Sequence, residues 1–152
     1  MIRRIFAGIY HWMAMCGLIM KDDQPIEVRD PDRAWGPSSD GLILSAKAKG
    51  QRLSVVLKNS GTEEIRANIP GWLFFYQLAI APSPPLTNFG KQALDPRRND
   101  RRTGIVLTPG KAIEAELPVD SLYDLGRAGH RITVSCEIAG RTLLSNPVTI
   151  GV

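Results

Sequence analysis

From Gly104 to the C-terminus, apolar and polar residues exchange places at almost every second position. His130, Ile132, Val134, Cys136 and Ile138 fall on one side of a predicted strand, with Arg131, Thr133, Ser135 and Glu137 on the other. A helix cannot separate polar from apolar residues with a period of two, so this pattern demands a pleated strand with one wet and one buried face. Ile113, Ala115 and Leu117 alternate with Glu114 and Glu116 in the same way. Turns at Thr108-Pro109-Gly110 and Ala139-Gly140-Arg141 separate such runs. The last strand, from Leu143, carries Val148, Ile150 and Val152 inward. Pro147 cannot donate to a ladder, so an edge or bulge is expected there.

The pattern begins earlier, at about Leu42. Gly41 to Lys47 places Leu42 and Leu44 on one face, and Arg52 to Lys58 places Leu53, Val55 and Leu57 inward with Ser54 and Lys58 outward. Asn59-Ser60-Gly61 closes a turn, residues 64–69 return, and Pro70-Gly71 turns again. Trp72 to Ala81 is apolar on both faces and is expected as a central or covered strand. Residues 81–100 form a long irregular excursion ending in DPRRND. Asp120 to Leu125 is expected to make one helical turn, with Leu122 and Leu125 plugging an open end. Seven to eight short antiparallel strands of this kind predict an all-β chain folded as a two-sheet β-sandwich. Fourteen glycines and 11 prolines suit so many turns.

The N-terminus has a different character. Arg3 and Arg4 precede a mostly apolar run, Ile5 to Met20, which Lys21, Asp22 and Asp23 end. Basic, then apolar, then polar is the order of a secretory signal, so residues 1–20 are expected to be a signal peptide or membrane anchor in the form of a short apolar helix. The run is short for a transmembrane helix and is interrupted by Tyr10, His11 and Trp12. Cys16 would be a lipidated N-terminus if Met13 to Gly17 served as a lipoprotein box, but such boxes want a small residue where Met15 stands. Residues 21–40, with three prolines and six acids against three bases, are expected to be a linker, and 41–152 the folded domain. The predicted location is therefore outside the cytoplasm: periplasmic, cell-surface or secreted.

Charge limits the partners. The formal charge of +4 includes Arg3 and Arg4; without them 17 bases face 15 acids, about +2. Nucleic-acid binding would need a larger, clustered excess. Membrane contact is expected only through the N-terminal segment. Two cysteines, Cys16 and Cys136, form no close pair, and with His11 inside the N-terminal run only His130 is left beside them, so a structural zinc site is not expected. Asp22, Asp23, Asp30 and Asp32 meet no known calcium-loop spacing. No cofactor is expected.

Three fragments carry a resemblance. Trp35-Gly36 with Gly41-Leu42, then Leu53 to Ile65 (LSVVLKNSGTEEI), then Leu107 to Ile150 (LTPGKAIEAELPVDSLYDLGRAGHRITV ending SNPVTI) resemble, in order, small immunoglobulin-like domains of bacterial exported proteins of unknown role. The likeness covers about three quarters of the chain and implies an immunoglobulin-like β-sandwich without transferable catalytic residues. His130 departs from the pattern, standing where the family carries a tyrosine after glycine. A looser likeness is to bacterial intracellular proteinase inhibitors of the BsuPI type. It implies an alternative role as a peptidase inhibitor or peptidase-accessory domain, with Pro82 to Asp100 as the presented loop.

Catalytic readings are weak. His130 has Asp120 or Asp124 to orient it and Ser121 or Ser135 to activate, but no nucleophile elbow accompanies them. It is expected instead as an inward corner residue whose ring nitrogen meets the backbone. Cys136 has inward parity and is expected buried and inert. Glu114 and Glu116 read as the wet side of a strand rather than a paired acid and base. Trp72 to Tyr76 reads as core rather than a sugar platform. Arg97, Arg98, Arg101 and Arg102 cluster in one loop and are the expected contact for an anionic partner, a protein or a surface polymer. The expected function is that of a non-enzymatic binding or structural module of the cell envelope.

Overall fold

A computed structural model describes residues 32–151. The expected N-terminal helix, Cys16 and Val152 lie outside the described residues. Within them the chain is mostly β, with every strand pairing antiparallel. Strands β1 (Leu42–Lys49), β2 (Arg52–Asn59) and β6 (Ala112–Leu117) form one sheet in the order β1-β2-β6. Strands β3 (Ile65–Pro70) and β5 (Arg102–Leu107) form a two-stranded ribbon. Strand β4 (Gln77–Ala81) pairs with β7 (His130–Ile138), which also pairs with β8 (Arg141–Leu144) and β9 (Val148–Ile150).

The inward faces of all three sheets meet in one core. The expected parity holds: Leu42, Leu44, Leu53, Val55, Leu57, Ile113, Ala115, Leu117, Ile132, Val134 and Ile138 are all buried. Leu122 and Leu125 are buried beside α3 (Val119–Leu122), the expected helical turn. β8 and β9 occupy the place expected for one last strand. They are broken at Ser145-Asn146-Pro147, where the Ser145 hydroxyl accepts from Val134 N at 2.9 Å while Ser145 N donates to Val134 O at 2.8 Å. Pro147 marks the irregularity its missing N–H requires.

Ser54 was expected to face water, and it does not: it is 1% exposed. Residues 32–40 run over the outer face of the β1-β2-β6 sheet, and Arg33 is buried there. Its guanidinium donates to Ser45 Oγ at 2.9 Å and to Ser54 Oγ at 2.7 Å, and Ser54 Oγ donates to Glu114 Oε1 at 2.8 Å. Period-two alternation reports which face is polar; it does not report that a neighbouring segment covers that polar face.

The expected strand Trp72 to Ala81 is also corrected. Residues Trp72–Phe75 form a helical turn, α1, and only Gln77–Ala81 is strand. Phe75 N donates to Gly71 O at 2.8 Å and Tyr76 N to Trp72 O at 3.0 Å. Trp72, Leu73, Phe75 and Tyr76 are buried while Phe74 is half-buried, which is helical spacing. The rings of Trp72 and Tyr76 stack at 5.4 Å, one helical turn apart. An unbroken apolar run fits either period, and burial of the aromatic ring pair settles it.

The excursion after β4 is more regular than expected. It holds α2 (Asn88–Ala93) and a 3₁₀ turn at Pro96–Arg98. Thr87 caps α2, accepting from Gly90 N at 2.9 Å, and its hydroxyl donates to Ser121 O at 2.6 Å. Gly90 lies so close to α3 that a Cβ there would stand 2.0 Å from Leu122 O. Absence of a side chain is what lets the two helices touch.

Candidate functional site

The arginine loop hangs from this packed base. It leaves α2, makes the 3₁₀ turn and enters β5 at Arg102, which pairs with Pro70 of β3. Both ends are thus fixed in backbone structure. Asp95 caps the turn, accepting from Arg97 N at 3.0 Å, and Pro96 follows at the first position, where its missing N–H costs nothing. Arg97, Arg98, Arg101 and Arg102 are all exposed.

The four are not equivalent. Arg97 folds back on the Asp95 carboxylate, with Nη2 to Oδ2 at 2.7 Å and Nε to Oδ1 at 3.2 Å. That forked bond holds the Asp95 carboxyl down to about 2 and raises Arg97 further above its ordinary range. Arg102 Nη1 donates to Asn99 Oδ1 at 3.1 Å and to Arg101 O at 2.8 Å. Arg97 and Arg102 are thus held by bonds within the loop, and Asp95 and Asp100 set two acids among the four guanidinium groups. The Asp-Pro pair is a readable N-cap signal for the turn; the Asp95–Arg97 bond needs the folded turn to exist.

His130 takes the inward place expected of it, at 4% exposure. Nδ1 lies 2.7 Å from Pro82 O and Nε2 lies 2.8 Å from Leu125 O. Both ring nitrogens are occupied by the backbone, so neither faces Ser121 or Ser135. Its role is to tie the loop after β4 to the loop before β7. Glu114 and Glu116 are likewise engaged, by Ser54 and by Arg52 Nη1 at 3.1 Å. Cys136 is buried as expected, and burial pushes its thiol up to about 12.

Sequence reasoning missed a cavity. It measures about 260 Å³ and lies where β4 and β6 end their sheets. Leu73 and Phe74 of α1, Leu78 of β4, Leu94 after α2 and Leu122 of α3 form its apolar wall. Gln77 and Tyr123 add polar atoms, and no lining residue is charged. Recognising it requires α1, α2 and α3, of which the sequence leads one to expect only a helical turn at the last. Tyr76 and Leu117 of β6 also line the cavity, and the Tyr76 hydroxyl is buried without a hydrogen-bond partner. Among the described residues no group of three or more His, Cys, Asp or Glu side chains is placed to hold a metal.

A scan of protein-family models and a search of curated proteins both returned no match to this chain.

Proposed function

We propose that the chain is a non-enzymatic, immunoglobulin-like β-sandwich that binds an anionic partner through the loop 95–102. Two antiparallel sheets, β1-β2-β6 and β4-β7-β8/β9, with their apolar faces in a common core support the sandwich reading. The observation that carries the functional reading is the set of four exposed arginines on one short loop whose two ends are anchored. Exposed guanidinium groups gathered in this way suit contact with carboxylate or phosphate groups of a surface polymer or an acidic protein patch. The basic, apolar, polar order of residues 1–23 supports placing the protein in the cell envelope.

Retention on a carboxylated polymer matrix across a salt gradient tests this. The Arg97/Arg98/Arg101/Arg102→Ala variant should elute at much lower salt than the parent. A variant of equal net charge, Lys47/Lys49/Arg127/Arg131→Ala, should elute close to it. Equal loss in both variants would reduce the effect to net charge and remove the loop from consideration.

A further inference from the structure

Among the described residues several strand edges are protected. On β1, Leu44 O accepts from Gly36 N at 2.9 Å, and Asn146 occupies both backbone groups of Ala46. β6 carries Glu114 and Glu116, β3 carries Arg66 and Pro70, and β5 begins at Arg102. Charges, prolines and covering groups are the usual means by which sheets prevent unwanted pairing. β4 has none of these. Its sequence, Gln77-Leu78-Ala79-Ile80-Ala81, is uncharged, and Gln77, Ala79 and Ala81 are exposed. β7 pairs with one side of it, and on the other side its backbone groups bond to no described residue.

The bare edge adjoins the apolar cavity, since Gln77 and Leu78 belong to both. We propose that β4 accepts an added strand from a partner protein: an extended, uncharged segment that places one large apolar side chain in this cavity. Main-chain hydrogen bonds to the edge supply affinity, and the cavity supplies selection, the division of labour in strand-addition complexes. At about 260 Å³ the cavity is below the size of pockets that enclose whole small-molecule ligands, and it suits a single side chain. Its uncharged lining favours an aromatic or branched aliphatic group. A second copy of this chain fits less well. Two β4 strands paired symmetrically about Ala79 would bring Ala81 and Pro82 of the other copy opposite Gln77 and Tyr76, and neither is large enough to fill the space. The site is separate from the arginine loop.

The probe is a fluorescein-labelled panel of ten-residue peptides, alternating Thr and Val, with the fifth residue varied. Phe, Trp and Leu at that position should bind roughly tenfold or more tighter than Ala or Asp. N-methylation of one alternate set of peptide nitrogens should abolish binding while methylation of the other set leaves it, because an added strand uses one edge only. Leu94→Trp, checked for an unchanged circular dichroism spectrum, should fill the cavity and erase the preference at the fifth position. The Arg97/Arg98/Arg101/Arg102→Ala variant should bind the peptides as the parent does. Equal affinity across the panel, or equal effects of both methylation sets, overturns the proposal. So does failure of every peptide while sedimentation shows a dimer broken by Ala79→Lys, a result that assigns the edge to a second copy.

Discussion

The side-chain amide of Asn146 pairs with the backbone of Ala46 as a strand would, accepting from its N–H at 3.0 Å and donating to its C=O at 2.9 Å. One residue in the break between β8 and β9 thereby continues the hydrogen bonding of β1 beyond its sheet. Ala46 is 2% exposed, so neither backbone group has water to fall back on. Asn146→Ala should cost about 2–3 kcal/mol, because two buried backbone groups lose partners together. Asn146→Asp should cost at least as much, since a carboxylate still accepts from Ala46 N but sets a charged acceptor against its buried carbonyl oxygen. Urea unfolding of the two variants against the parent measures both.

Arg33 anchors the segment 32–40 in a comparable way, through Ser45 and Ser54. Arg33→Ala should destabilise the domain by about 1–3 kcal/mol by leaving buried hydroxyls without their donor. It should also free the segment before the sheets open. Limited proteolysis should then cut within 32–40 at a protease concentration that leaves the parent intact.

How much of this was legible depends on which physical signal each element leaves. β7 was readable from His130 to Ile138 because alternation with one wet face is a local property. The turn at Asn59 was readable too: its side chain accepts from Gly61 N at 3.0 Å and donates to Leu107 O at 2.9 Å. α1 was not, because Trp72 to Tyr76 is apolar at every position and period cannot be extracted from a uniform run. The burial of Ser54 is not legible in its own strand, because Arg33, 21 residues away, covers it. For the arginine loop, the clustering was visible in the sequence, but not the Asp95 carboxylate closing on Arg97. The cavity left no local signal, since its walls come from α1, β4, β6 and α3.

The core makes the protein sensitive to alkali. Burial raises Cys136 from its ordinary 9.0 to about 12, and burial raises Tyr76 well above 10.0. Each group is neutral when protonated, so the unfolded chain releases these protons first as pH climbs. Their contribution is complete below about pH 9 and is lost progressively toward 12, with a slope of at most about 1.4 kcal/mol per pH unit from one group. Cys136→Ala should show a shallower decline in stability over that range than the parent, measured by urea midpoints in a Cys16→Ser background. The same burial predicts that Cys136 resists a thiol reagent at pH 8 until the protein is unfolded.

The Asp95–Arg97 bond should limit the anionic contact proposed for the arginine loop. Asp95 is ionised from about pH 2 upward, so between pH 4 and 8 it contributes a constant negative charge, and retention on an anionic matrix should not vary with its titration. Asp95→Asn removes that charge and releases the guanidinium of Arg97, whose side chain is 90% exposed. The variant should bind the carboxylated polymer more tightly than the parent, and the gain should shrink as salt is added, because exposed charges are screened. Asp95→Asn combined with Arg97→Ala should lose the gain. If Asp95→Asn weakens binding instead, the Asp95 cap matters more by holding the loop in shape than by its charge, and the contact depends on the conformation that Asp95 and Pro96 impose.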